Sequence, residues 1–317
     1  MKVVITLGSN ALVKRGEPLE AGILRGNIAQ AAATVATIAR AHKVVVIHGS
    51  GPQAGLLALK AEAYAQTQPY PLDALGAELE GLIGYMIQQE LASLLPKHQV
   101  VTLLTQIAVN ENDPAFKLPA KRIGPAYSAE EGQRLEQVRG WDMVSEGPTW
   151  RRVVPSPEPL RILELAAIRL LLKAGAVVVC AGGGGIPVVV SPTGAVRGVE
   201  AVIEKDLVAA LLAHQIGADA LLLLTDVDAV YVGWGGDKAR PIRETMPSDL
   251  RKFTFAPGSM GPKVLAACRF VEAGGKFSGI GRLEDANSIL YGLRGTIVRP
   301  TGVITLDFIP RPDSPRP

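Results

Sequence analysis

Cysteine is nearly missing from this chain of 317 residues: only Cys180 and Cys268 are present, far apart, in apolar surroundings and outside any CxxC. That spacing predicts buried thiols in a reducing compartment and excludes a disulfide framework or a cysteine metal site. No run of about 18 apolar residues is present, so no membrane span is expected. The opening MKVVITLGSNAL breaks into glycine after one short apolar run and reads as a first strand, not a signal peptide. Charge of one sign is also lacking. The 33 basic and 30 acidic residues nearly cancel, with no long single-sign run, which argues against a nucleic-acid surface and for local basic pockets that take a small anion. The P-loop pattern GxxxxGK[ST] is absent, GxGxxG is never complete, and there is no solenoid repeat. The reading is a cytoplasmic protein without membrane or nucleic-acid partners.

A chain that is 48% hydrophobic can bury a large core, and its longest signal is VVVCAGGGGIP at 177–187. An unbroken valine run reads as a parallel strand covered on both faces. The four glycines after it allow positive φ and let an anion approach main-chain N–H groups; their bland reading is tight packing where two parts of a sheet meet. Val3–Leu7 before Gly8-Ser9-Asn10, Lys43–Ile47 before Gly49-Ser50-Gly51, Val100–Leu104, and Ala218–Leu224 before Thr225-Asp226 repeat the pattern. Helices are expected over 26–41, 74–95, 160–173, 207–215 and 264–272, with Leu79, Leu82, Ile83, Met86, Ile87 and Leu91 buried in the second. Segments around 279–281 and 295–298 read as closing strands. Strand, glycine turn and helix alternate, which predicts an α/β protein with a mostly parallel sheet covered on both sides. Between about 110 and 159, prolines and weak periodicity predict an excursion of the lid type, and the proline-rich end after Phe308 is expected to fray.

Several polar groups stand where open α/β sheets bind ligands, at strand ends. Lys205-Asp206 opens a helix, where the carboxylate would hold the lysine toward a phosphate; an exposed ion pair is the commoner alternative. Thr225, Asp226 and Asp228 suit a metal or a ribose, or simple turn capping. His48 is a base or, more ordinarily, a hydrogen-bonded strand end. Lys121-Arg122 would close over an anion or lie solvated on a loop. Lys263 follows the tight loop at 257–262.

Taken together, GSNAL at 8–12, HGSGPQAG at 48–55, WRRVVPSPEP at 150–159, GGGGIPVV at 182–189, GVEAVIEKD at 198–206, TDVDAVY at 225–231 and FAPGSMGPK at 255–263 resemble the carbamate kinases of the amino acid kinase superfamily, in their order and over nearly the whole chain. The resemblance implies an open α/β/α sandwich. An N-terminal lobe over 1–195, carrying the lid at 110–159, would hold carbamate or carbamoyl phosphate; a C-terminal lobe over 196–308 would hold ATP or ADP; 309–317 would be a tail. Lys205 and Lys263 would flank the transferring phosphoryl group, Asp206 would orient them, and Lys121 would reach the substrate from the lid. Gly8, Ser9, Asn10, Gly49, Ser50, Gly51, Gly183 and Gly184 would surround the substrate, and Thr225, Asp226, Asp228, Tyr231, Met260, Gly261 and Pro262 the nucleotide. Mg2+ would arrive on the nucleotide phosphates with no protein metal cage, and the family implies a homodimer and a place in arginine metabolism.

The chain departs from that family where Ser9 replaces a glycine, Ser50 replaces an asparagine, and Gly147-Pro148-Thr149-Trp150 replaces Gly-Arg-Gly-Trp. A serine at a position needing positive φ would be strained by about 1 kcal/mol. The alternatives are a related kinase of small carboxylates or phosphates, and a ligand-binding homologue impaired in turnover.

Overall fold

The strands Lys2–Leu7, Lys43–His48, Val177–Val179, Ala220–Thr225 and Phe277–Arg282 are almost wholly apolar, and in the computed structural model they lie side by side and parallel. The described residues are all but 15, 64–69, 237, 257 and 307–317; side chains of Asn10, Gly51, Pro52 and 61–63 are also outside the description. The expected tail at 309–317 therefore lies outside the described residues. From edge to edge the large sheet runs Val230–Val232, Arg240–Thr245, Thr296–Val298, Phe277–Arg282, Ala220–Thr225, Lys2–Leu7, Lys43–His48, Val177–Val179 and Val100–Thr102, with Thr305–Leu306 beside Arg240–Thr245. Antiparallel pairing is confined to the end holding Val230–Val232, Thr296–Val298 and Thr305–Leu306.

Alternation along each strand sorts the core into two layers. Val3, Ile5 and Leu7 meet one face, covered by Ile28, Val35 and Ile38 of helix Ala21–Ala39 and by Ile83, Ile87 and Leu91 of helix Leu72–Leu94. Val4, Val45, Val178, Leu221 and Leu223 meet the other face, against Val208 and Leu212 of helix Lys205–Gln215 and Ala267, Phe270 and Val271 of helix Met260–Glu272. This is the α/β/α sandwich that the sequence predicts. Both cysteines are free and buried, and among the described residues no helix is long and apolar enough to cross a membrane.

Four details differ from the sequence reading, the first being that helix Ala21–Ala39 begins five residues before the expected 26. Helix Leu165–Lys173 begins later than expected, because Arg161–Ile162 is a short strand in which Ile162 pairs with Ile107. Leu82 is not buried but 46% exposed, on the outer side of its helix. The excursion at 110–159 is folded: Lys121–Tyr127, Thr149–Val154 and Met143–Glu146 form a three-stranded antiparallel sheet, flanked by helix Ala129–Arg139. Ser128 caps that helix by accepting from the Glu131 N–H at 3.2 Å, and Gly140, at φ 65°, ends it. Its core is small, built on Ile123, Leu135, Met143 and Val153, so the periodic signal is weak.

The excursion docks by backbone contact. Gly55, in helix Gly51–Ala63, faces Gly124 so closely that a Cβ there would lie 1.9 Å from the Gly124 Cα. Glycine at 55 is what permits this approach, whereas a Cβ on Gly124 would lie 3.6 Å from the Gly55 Cα, an ordinary contact, and Gly124 is favoured instead by its φ of 75°. Gly55→Ala is expected to push the strand Lys121–Tyr127 off the helix at a cost of about 1–3 kcal/mol. Limited proteolysis would then cut first within 110–159; a wild-type cleavage pattern would refute the contact.

Candidate active site

Four strand ends converge on one edge of the sheet, as open α/β architecture requires of a binding site. Leu7 leads into Gly8-Ser9, His48 into Gly49-Ser50, Val179 into 180–185, and Thr225 into Asp226. Helix Ser9–Leu12 starts immediately after the first strand, and Ser9 is not among the residues with positive φ. The condition under which this serine would be strained, a need for positive φ, is thus not met, because a helix start needs only ordinary φ. The Asn10 side chain and Gly51 lie outside the described residues beyond their place in the backbone.

The second and third loops interlock with the first. A Cβ on Gly49 would lie 2.7 Å from the Ser9 nitrogen, one on Gly183 2.4 Å from Ser50 Oγ, and one on Gly184 2.2 Å from the Ile203 carbonyl oxygen. Gly183 and Gly184 also hold φ of 69° and 104°, so the run combines the expected positive φ with the close packing of its bland reading. Beneath them Glu80 is buried; its carboxylate accepts the Thr105 and Gly182 N–H groups, each at 3.0 Å, and burial raises its pKa to about 8. His48 lies against Gly182 with Nδ1 3.2 Å from the Gly49 carbonyl, and burial lowers its pKa to about 4. It is a neutral strand-end histidine, the more ordinary of its two readings.

Beside these loops lies a cavity of about 520 Å³. Gly8 and Ser9 line one end together with Lys121, Lys205, Asp206 and Lys263; Thr225, Asp226, Tyr231 and Met260 line the rest. Gly49, Ser50, Gly183 and Gly184 stand behind Ser9 and do not line it. Nor do Asp228, which accepts the Tyr231 hydroxyl at 2.9 Å, or Gly261 and Pro262, which lie in the first turn of their helix. Thr225 donates to the Asp226 carboxylate at 3.1 Å.

The charged end is the most constrained part. Lys205 Nζ donates to both Asp206 oxygens at 3.1 Å, and Lys263 Nζ donates to Asp206 Oδ2 at 3.0 Å. Lys205 and Asp206 begin one helix and Lys263 lies one turn into another, so two packed helices fix the triad. Asp206 is 2% exposed. Burial alone would neutralise it, but the two ammonium groups hold its carboxyl far below the usual range. Burial also opposes charge on Lys205, yet Asp206 and Glu204 outweigh it and raise that pKa. For Lys263, burial and the like charge of Lys205 outweigh Asp206, and the pKa falls to about 8. Two cations sharing one carboxylate form a site with a positive charge to spare, ready for an anion.

From the excursion Lys121 forms an ion pair with Glu204, the residue preceding Lys205, and a Cβ on Gly258 would lie 3.9 Å from an Arg122 nitrogen. The excursion thus reaches over the cavity to the opposite side. The exposed ion pair considered for Lys205 and the solvated loop considered for Lys121 are both excluded by burial and position.

Sequence reasoning missed the far wall: Val227, Ala229, Trp234, Phe253 and Phe255. Tyr231 and Trp234 meet edge to face at 5.2 Å. A signal existed in Phe253-Thr254-Phe255, whose alternation places two rings on one side of an extended segment directly before the loop at 257–262. Glu204 was missed as well, being an acid beside two more prominent charges. An apolar wall at one end and cations at the other suit a ligand with a flat ring and a phosphate tail.

The comparisons agree with this geometry. The model of the amino acid kinase family matches residues 1–277. The carbamate kinase of Rhizobium meliloti (strain 1021) is 53% identical over 94% of this chain and 93% of its own length. That of Escherichia coli (strain K12) is 49% identical over 93% of this chain and 98% of its own. The solved structure of carbamate kinase from Giardia lamblia bound to AMP-PNP superposes with a TM-score of 0.86 at 36% identity, covering 94% of this chain and 98% of that one.

Proposed function

The chain belongs to the amino acid kinase family, among its carbamate kinases, and on that premise we infer that it transfers a phosphoryl group reversibly between ATP and carbamate, giving ADP and carbamoyl phosphate. The observation that carries this reading is the Lys205–Asp206–Lys263 triad, buried at the end of the cavity where Gly8 and Ser9 meet Lys121.

A carbamate oxygen attacks the γ-phosphorus of ATP, the bond from that phosphorus to the β,γ-bridging oxygen breaks, and the electron pair leaves with ADP. The transferring group passes through a loose transition state with its charge spread over its oxygens, so fixed cations and N–H donors do most of the work. We assign Lys205 and Lys263 to either side of that group. Asp206 is a positioning residue: with two ammonium groups on its oxygens, it fixes both lysine heads before substrate arrives. Carbamate is already anionic, and the neutral His48 off the cavity fits a reaction that needs no base. The apolar wall of Val227, Ala229, Phe253 and Phe255 takes the adenine, and Thr225, Asp226, Tyr231 and Met260 lie along the same cavity. Mg2+ comes as part of the nucleotide substrate, on its phosphate oxygens. Lys121 exchanges its Glu204 partner for the incoming anion as the excursion closes. Ser50, at the interlocked loops, supports Gly183 and orders the substrate end.

The homodimer of the family is supported by Leu82 and Tyr85, one turn apart on the outer face of helix Leu72–Leu94, and by neighbouring Leu104, all about half exposed. A second copy covering them would bury an apolar edge that one copy leaves to water.

The test is ATP formation from MgADP and carbamoyl phosphate, with acetyl phosphate and enzyme-free controls. Turnover with carbamoyl phosphate well above both controls is expected. A folded protein that binds ADP and turns over neither would transfer the reading to another acceptor or to a sensor.

A further inference from the structure

Ala181 is fully buried, and among the described residues it is the one non-glycine whose φ is positive, at 51°. An alanine in the left-handed region is strained, and such a residue persists only where its surroundings hold it. Here the hold is visible. The Ala181 N–H donates to Thr105 Oγ1, and the next N–H, that of Gly182, donates to Glu80 Oε1, each at 3.0 Å. Glu80 Oε2 accepts the Thr105 N–H, also at 3.0 Å, so one carboxylate from helix Leu72–Leu94 staples two chain segments together. Glu80 is 1% exposed, and among the described residues no cation pairs with it. A carboxylate buried without a cation lowers stability, as the left-handed alanine does. Two unfavourable features that hold the same turn point to a fixed geometry with a use.

The far side of the turn shows what it fixes. The Gly184 N–H donates to the Ala181 carbonyl at 3.1 Å and the Gly185 N–H to the Gly182 carbonyl at 3.0 Å, which makes 181–185 one tight unit. A Cβ on Gly184 would lie 2.2 Å from the Ile203 carbonyl oxygen and 3.3 Å from the Lys205 nitrogen. The turn therefore bears on the backbone that starts helix Lys205–Gln215. Neither Glu80 nor any residue of 181–185 lines the cavity, so this carboxylate acts only through what the turn supports.

We propose that Glu80 is a positioning residue for Lys205: by clamping the turn at 181–185 it sets where the Lys205 helix begins, and so where the ammonium stands. The proposal rests on the phosphoryl-transfer reading. The bond from Lys205 to Asp206 joins neighbours in one helix and cannot place that helix in the fold. Lys263 ties the helix to Met260–Glu272, and the clamped turn supports its start. A misplacement of about 1 Å at a reacting centre is enough to lower a rate about 100-fold, so the support matters to the reaction even at a distance from it.

The test is steady-state ATP formation from carbamoyl phosphate and MgADP in wild type, Glu80→Gln and Thr105→Val, with each change also made on Lys205→Ala. Burial raises the Glu80 pKa to about 8, yet in either protonation state each carboxyl oxygen keeps a lone pair for an N–H. The amide nitrogen of glutamine has none, so one bond of the clamp is lost whichever way the amide turns. Glu80→Gln is expected to lower kcat about 30-fold with KM for MgADP within about threefold of wild type, because the aromatic wall is untouched. On Lys205→Ala the same change should lower kcat by less than about threefold more, since a residue that acts through Lys205 then has nothing left to position. Thr105→Val removes the hydroxyl that accepts the Ala181 N–H and should show the same pattern on a smaller scale; it decides the matter if Glu80→Gln does not fold. A loss repeated in full on Lys205→Ala, a loss expressed in KM for MgADP, or kcat within about threefold of wild type in the folded variants would overturn the proposal, since each describes a carboxylate that merely holds the loop. In all three cases an active wild type leaves the parent reading standing. A wild type inert toward carbamoyl phosphate would overturn the parent reading, and this one with it.

Discussion

Replacing Lys205 with alanine is expected to lower kcat by about 10³-fold, the scale on which fixed donors and cations act in acyl and phosphoryl transfer, while the fold stays intact. The asymmetry comes from the triad. Lys205 and Lys263 share one carboxylate, so loss of Lys205 leaves Asp206 with an ammonium partner at 3.0 Å rather than alone. The remaining pair is better matched in charge than the trio, and the depressed pKa of Lys263, caused by burial and then by Lys205, should move back up. Stability therefore changes little, whereas the transition state loses one of its two fixed charges. Lys263→Ala should show a similar kinetic loss with a larger cost in stability, because its side chain is packed within helix Met260–Glu272 at 6% exposure. Steady-state rates with carbamoyl phosphate and MgADP, alongside thermal melts, decide the matter. A kcat within tenfold of wild type in either variant would remove the lysines from the phosphoryl site.

What was legible in the sequence follows the strength of the physical signal. VVVC before four glycines admits few other structures, and the strand Val177–Val179 with φ above zero at Gly183, Gly184 and Gly185 matches it. The motifs single out Lys205, Asp206 and Lys263, which the structure brings together on one cavity, but their sharing of one carboxylate could not be read. That sharing depends on the packing of two helices whose lysine and aspartate lie 57 positions apart. The excursion was legible as an interruption and not as a sheet, because strands with polar residues on both faces and a four-residue core leave almost no periodicity. Whether Ser9 needs positive φ was not readable from the sequence: the helix Ser9–Leu12 begins there with ordinary φ, so the condition for strain is not met.

The largest stability effect is expected from Asp206→Asn, a change of one atom that turns a shared counter-ion into a neutral amide. Two buried ammonium groups would then face each other with only Glu204, beside Lys205, to offset them, and breaking a buried ion pair from one side costs about 3–5 kcal/mol. The protein has one outlet. Lys263 already holds its proton less firmly than an ordinary lysine, with a pKa of about 8, and without Asp206 that value falls further. In the unfolded chain the same lysine keeps its ordinary value near 10.5, so between the two values the unfolded state binds more protons than the folded one. Stability contributed by this group must then rise with pH across that window. In wild type the window opens near pH 8; in Asp206→Asn it opens below that, within the neutral range. The melting temperature of the variant should thus climb from about pH 6 to about pH 9 more steeply than that of wild type. Below about pH 4 the difference between the two proteins should shrink, because there the unfolded wild-type chain takes up a proton on Asp206 that the folded triad refuses, and wild type loses the advantage that the carboxylate gives it. Parallel melting curves across that whole range would mean that Asp206 does not hold the two lysines charged, and the role assigned to it as the residue that fixes both of them would fall.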